Sequence, residues 1–155
     1  GFNFDRVLPT GKTKDMAVIG YGASELEDYL EEELEKQGRY INPDPNPEKG
    51  YFYRSDHISF AKKGVPVLYS DDGFDLEDGG IERGFNEIYD YTNFRYHGVD
   101  DEYDPSWNLE GFEQTINTIF NISLDLSNSS DWPNWYEGNE FRATRDAQLS
   151  LKNTP

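Results

Sequence analysis

The chain has 155 residues, enough for one domain with a buried core. Only 35% are hydrophobic but 15% are aromatic, so the core leans on Phe, Tyr and Trp, and the aromatic content excludes a disordered chain. Against 14 basic residues, 31 acidic ones give a net charge of −17, which sets a strongly solvated surface and excludes nucleic acid as a partner.

Cysteine is absent, so disulfides and thiolate metal sites are excluded, and any metal takes its ligands from His, Asp and Glu. No run reaches the roughly 20 apolar residues of a membrane span, so no membrane partner is expected. The chain opens on Gly1 rather than Met, and processing or excision from something longer is the expected origin.

Phe2 and Phe4 alternate and read as the end of a buried strand, with Asp5 at its C-terminal end. Open α/β sheets place ligand-binding groups there; a solvated loop carboxylate is the alternative. Met16-Ala17-Val18-Ile19 predicts a core strand. Ser24 to Glu27 fits a capping box that opens a helix. Its apolar stripe is Leu26, Tyr29, Leu30 and Leu34, its solvated face is rich in Glu, and Gly38 stops it. Arg39-Tyr40-Ile41 reads as a short strand, and Pro43, Pro45 and Pro47 make residues 42–50 an extended surface loop.

Ser55 and Asp56 are N-cap candidates for a helix through Lys63, with Ile58, Phe60 and Ala61 inward. Val65-Pro66-Val67-Leu68-Tyr69 then predicts a buried strand, and this helix-Gly-strand step indicates α/β architecture. His57, in the first turn, is either structural or lines a site, and Arg54 beside Asp56 reads as a local ion pair. Residues 70–80, with Asp71, Asp72, Asp75, Glu77 and Asp78, read as a solvated acidic loop whose spacing does not fit an EF-hand. Residues 82–93 read as connecting structure rich in Tyr and Phe. A helix then runs from Asp104 or Asn108 to about Asp125, with Leu109, Phe112, Ile116, Ile119 and Phe120 as its core face. Residues 131–155 read as an irregular tail anchored by Trp132, Trp135, Tyr136 and Phe141, either core and docking aromatics or a carbohydrate platform.

Two stretches hold the histidines, Tyr51-Phe52-Tyr53-Arg54-Ser55-Asp56-His57 and Arg95-Tyr96-His97-Gly98-Val99-Asp100-Asp101-Glu102-Tyr103-Asp104. Arg54-Ser55-Asp56-His57, followed by Phe60-Ala61-Lys62-Lys63-Gly64-Val65-Pro66, resembles the co-catalytic dizinc peptidases. Those include bacterial secreted aminopeptidases, the glutamate carboxypeptidase II group and, more distantly, glutaminyl cyclases. Tyr96-His97 with Asp101-Glu102-Tyr103-Asp104 is similar to a second block of the family, and the segment from Trp132 to Arg142 looks like the tail of one bacterial subgroup.

The resemblance implies an α/β fold, part of a three-layer αβα sandwich with a mixed central sheet. It implies an aminopeptidase-type exopeptidase that hydrolyses peptide bonds with water activated by two zinc ions. Residue by residue, Asp5 matches the carboxylate on one zinc and His97 the imidazole on the other. Tyr96 matches an oxyanion donor, with simple packing as the alternative. Arg54, Ser55, Asp56 and His57 match the substrate lining, His57 not being a metal ligand, and Asp101 is a carboxylate that orients a site group.

The family's first His, its bridging Asp and its Glu-Glu pair, with the general base, fall before the position of Asp5. Residues 1–155 are therefore expected to be the C-terminal part of a single zinc-peptidase catalytic domain, with residues 127–155 as an irregular aromatic-rich tail. Alone, the chain is expected to bind zinc weakly or not at all and to leave peptides intact. Its expected partners are a peptide substrate and, across an open sheet edge, the N-terminal part of the same domain or a second copy. Family habit implies a periplasmic or secreted location. Two other classes stand beside this one: a non-catalytic relative that binds peptides or a partner, and an acidic, aromatic-rich carbohydrate-binding module.

Overall fold

The computed structural model describes residues 1–152. Four strands, β1 (Phe2–Asn3), β2 (Asp15–Val18), β3 (Tyr40–Pro43) and β4 (Leu68–Asp72), form one sheet in the order β1-β4-β2-β3. β1 runs parallel to β4, β4 antiparallel to β2, and β2 parallel to β3, so the sheet is mixed. Around it lie α1 (Leu26–Lys36), α2 (Ile58–Ala61), α3 (Gly80–Phe94), α4 (Glu110–Asn128) and α5 (Arg142–Lys152). This is an α/β architecture consistent with the αβα sandwich. None of the described helices is long and apolar enough to cross a membrane.

Strand alternation sorts the core into two clusters. Met16, Val18 and Leu68 point to one face and pack against Leu26, Leu30 and Leu34 of α1 and Ile122 of α4, with Phe2 and Phe4 alongside. Ile19 and Tyr69 point to the other face, against Phe52, Ala61, Trp135 and Phe141. Phe2 and Phe4 therefore share one face, as their spacing predicts, and Asn3 and Asp5 fall on the opposite one.

The start of α1 shows half of the expected capping box. The Glu27 carboxylate accepts from the backbone N–H groups of Gly22 and Ala23, both at 2.7 Å, and of Ser24 at 3.3 Å. Ser24 Oγ is buried without a partner. The stripe Leu26, Leu30, Leu34 is buried as its period requires.

Five expectations are corrected. Phe60, expected inward on a helix through Lys63, is 61% exposed, and the helix spans only Ile58–Ala61. The predicted acidic loop begins as β4: Asp71 and Asp72 are buried strand residues, because β2 pairs along them and the Arg6 and Leu8 N–H groups bond their carboxylates. The predicted connection at 82–93 is the 15-residue helix α3, seated through Gly84, where a Cβ would lie 1.9 Å from the Phe74 carbonyl oxygen. The predicted core face of α4 is turned outward in part: Leu109, Ile116 and Phe120 are exposed (49%, 64% and 60%), Phe112 and Ile119 are half-buried with Ile119 against the core, and Gly111, Thr115, Thr118 and Ile122 are buried. The tail is irregular only as far as Phe141 and continues as α5.

The inward polar face of α4 has a reason. Arg39, 5% exposed, donates from Nε to Thr13 O (3.0 Å), from Nη2 to Thr13 Oγ1 (3.0 Å) and Asp15 O (2.8 Å), and from Nη1 to Gln37 Oε1 and Thr118 Oγ1 (both 3.2 Å). A buried guanidinium needs such acceptors. Burial nonetheless lowers its pKa to about 10.

Candidate active-site cleft

Asp5 lies just past the C-terminal end of β1, on the sheet face of Tyr69. The Tyr69 hydroxyl donates to Asp5 Oδ2 at 2.8 Å. The Ser55 hydroxyl, 3.0 Å from the Tyr51 carbonyl and 3.2 Å from the Tyr69 hydroxyl, shares its proton between those acceptors. Burial, with Asp71 and Asp5 adding to it, pushes the Tyr69 hydroxyl well above the ordinary tyrosine range, so it remains a donor.

Arg6 and Asp71 form the neighbouring pair. The guanidinium Nη2 is 3.4 Å from Asp71 Oδ2, and the Arg6 N–H donates to Asp71 Oδ1 at 3.2 Å. Burial raises the pKa of Asp71, and Arg6 opposes that. On the opposite face of β4, Asp72 Oδ2 accepts the Leu8 N–H at 2.7 Å, while Oδ1 is buried without a partner among the described residues. Burial pushes the Asp72 pKa up to about 7.

Asp5, Arg6, Tyr69 and Asp71 border a cavity of about 220 Å³. The sheet supplies Ala17, Ile19, Tyr69 and Asp71; α3 supplies Phe85, Ile88 and Tyr91; Asp44, Tyr51 and Tyr96 close the sides. Asp5 and Arg6 also border a second, more open cavity of about 370 Å³, walled by Tyr91, Asp101 and Trp107. The Tyr91 hydroxyl donates to Asp101 Oδ2 at 3.1 Å and so ties the loop after α3 back to that helix.

The structure thus brings Asp5 and Tyr96 to one cavity and Asp5 and Asp101 to the other. His97 lines neither. It has a left-handed backbone (φ 58°), and its ring stacks on Tyr96 with centroids 3.8 Å apart. Of the 54–57 block, Ser55 reaches the cleft through Tyr69, and Arg54 lies over the Tyr51 ring at 4.8 Å. Asp56 is exposed. His57 is buried between Phe52 and Tyr69, and both ring nitrogens lack hydrogen-bond partners among the described residues. Burial lowers its pKa, although Asp5 and Asp56 favour its charged form.

Carboxylate and imidazole are suitable zinc donors. Among the described residues, however, no three His, Cys, Asp or Glu side chains gather closely enough to hold a metal ion. By themselves these residues do not make a zinc site.

Tyr69, Asp71 and the aromatics of α3 are cleft residues that sequence reasoning missed. Two signals carried them. Period-2 alternation continues through Leu68–Asp72, and Ile81, Phe85 and Ile88 recur at helical spacing.

A mixed α/β sheet with a carboxylate at a strand's C-terminal end, held by a buried tyrosine at the mouth of an aromatic cavity, defines an α/β protein with a cleft at its sheet edge. The chain belongs to peptidase family M28, whose model matches residues 1–122; it is a family of co-catalytic zinc peptidases. Neither the curated proteins nor the solved structures returned a match.

Proposed function

We propose that the chain forms part of an aminopeptidase-type exopeptidase, with the peptide's terminal residue in the cavity between Asp5 and Tyr96. The observation that carries this reading is Asp5 itself, fixed by the Tyr69 hydroxyl at the mouth of that cavity. A cavity of about 220 Å³ suits one side chain, since roughly 150 Å³ already accepts benzene. In this reading Asp5 and His97 each contribute to one of two zinc ions, and the remaining ligands and the general base come from another segment. Two zinc ions held there would supply activated water. Tyr96 donates to the developing oxyanion, Ser55 holds Tyr69 in place, Arg54 and Tyr51 form the cleft's rim, and Asp101 steadies the loop through Tyr91.

The same reading proposes a partner: the N-terminal part of the same domain, or a second copy. Its support is the β1 edge, unpaired on its outer side, and the exposed stripe Leu109, Ile116, Phe120 and Leu124 on α4. The test is sedimentation velocity with metal content and peptide hydrolysis measured on the same samples. The expected result is association, with stoichiometric zinc and release of N-terminal residues only in a complex with a second polypeptide, and loss of zinc there on Asp5→Asn. A dilution-independent monomer would sink the association, and an Asp5→Asn complex with full zinc and activity would sink the role of Asp5.

A further inference from the structure

A third cavity, of about 280 Å³, adjoins the Asp5 cavity and shares Ile19, Asp44 and Tyr51 with it. Its walls carry the Tyr21, Tyr51 and Tyr53 rings and the carboxylates of Asp44 and Glu140, with no Lys, Arg or His among the described residues. Tyr21 and Tyr53 are 52% and 61% exposed. Phe52 forms the floor. It can lie there only because residue 20 is glycine: Gly20 has φ 76°, and a Cβ would come 2.3 Å from the Phe52 ring. The Tyr53 hydroxyl donates to Glu140 Oε1 at 2.9 Å and fixes that carboxylate, from the far end of the chain, on the rim.

Tyrosine faces attract cations through the ring quadrupole, and carboxylates beside them complete the charge match. The Tyr51 ring already carries the Arg54 guanidinium at 4.8 Å, so the exposed Tyr21 and Tyr53 rings are the ones left for a ligand cation. We infer that this cavity is a subsite for the ammonium or guanidinium side chain of a basic residue in the bound peptide, lying along the chain from the residue seated beside Asp5. This rests on the peptidase reading for its ligand, a peptide. A neutral saccharide would use the rings without needing the two carboxylates.

The experiment is calorimetric binding of the full chain, without added zinc, to three tetrapeptides of Leu and Gly that carry Lys at position two, three or four. Each is compared with its norleucine counterpart. The expected result is a roughly tenfold tighter Kd for Lys at one position. That preference is lost in Tyr21→Ala and in Glu140→Gln and kept in a Glu31→Gln/Glu32→Gln control on α1. No Lys preference at any position overturns the subsite. So does a preference that falls equally in the control, which is bulk attraction to a −17 chain. Binding of a neutral chito- or cello-oligosaccharide that depends on Tyr21 but not on Glu140 overturns it in favour of a glycan. Hydrolysis is scored apart from binding: a Lys preference in a protein that never cleaves peptides in any complex sinks the peptidase reading and leaves the subsite standing.

Discussion

Asp72→Asn isolates one buried carboxyl. Asp72 is 5% exposed, and burial raises its pKa from the ordinary 3.8 to about 7, while the Leu8 N–H and Arg6 oppose the rise without cancelling it. A folded pKa above the unfolded one means that the folded state binds more protons between those values. Its contribution to stability is therefore complete below about pH 4 and disappears as pH rises through about 7. The span between the two pKa values corresponds to on the order of 4 kcal/mol. Asparagine keeps an oxygen for the Leu8 N–H and cannot ionise. Its amide takes the place of the unpartnered Oδ1, at a cost of about 1–3 kcal/mol that does not depend on pH. That cost cancels when the variant and the parent are compared across pH. Urea unfolding at pH 4 and pH 8 should show the variant gaining up to about 4 kcal/mol on the parent between the two conditions, or roughly 8–16 °C in Tm. An equal difference at both pH values would mean that Asp72 is ionised in the fold and that the argument from burial is wrong.

His57→Phe has the opposite sign. Burial lowers the histidine's folded pKa, so the unfolded chain takes the proton first and the parent loses stability as pH falls below about 6.5; the phenylalanine variant should lose less between pH 7 and pH 5, read as urea midpoints. Gly84→Ala places a methyl 1.9 Å from the Phe74 carbonyl oxygen, so α3 must shift at a cost of about 1–3 kcal/mol; an unchanged thermal midpoint would show that α3 is not seated against Phe74. Arg39→Met removes the five hydrogen bonds of a buried guanidinium, with Thr13 O keeping Gln114 Nε2 and Asp15 O keeping Thr13 Oγ1, and should cost about 3 kcal/mol by urea titration, far above a surface arginine such as Arg83.

Short-range signals made much of the fold legible. The stripe of α1, the alternation at Phe2 and Phe4 and the apolar run at Met16 each concern one element and one face. The family motifs fixed the chain order of the site residues. What escaped depended on what lay opposite. Asp71 and Asp72 look solvated in sequence because charge is the stronger local cue, and only pairing with β2 and the cover of residues 6–8 bury them. α3 was hidden by Gly80, Gly84 and a run of aromatics that lower helix propensity, although Gly84 marks the close approach that seats the helix. At the site, motif order could not show that His97 turns its ring onto Tyr96 rather than toward Asp5's cavity.

The reversed face of α4 follows from the same kind of long-range partner. Positions 115, 118 and 122 lie on one side of a 3.6-residue helix, and 109, 116, 120 and 124 lie nearly opposite. Rotating α4 to bury Ile116 and Phe120 would carry Thr118 away from Arg39 and leave a buried guanidinium short of an acceptor. It would also lift Gly111 from the Gly11 carbonyl, which only a glycine can approach so closely. The polar contacts therefore lock the apolar stripe outward, and hydrophobicity alone does not choose the buried side. Arg39→Met removes that lock. If the outward stripe is held there by Arg39, the variant should lose stability and also change its self-association, because α4 is then free to turn Phe120 inward. If the variant is destabilised with its association unchanged, the orientation of α4 is set by Gly111 and the turn before it, and Arg39 only reinforces it.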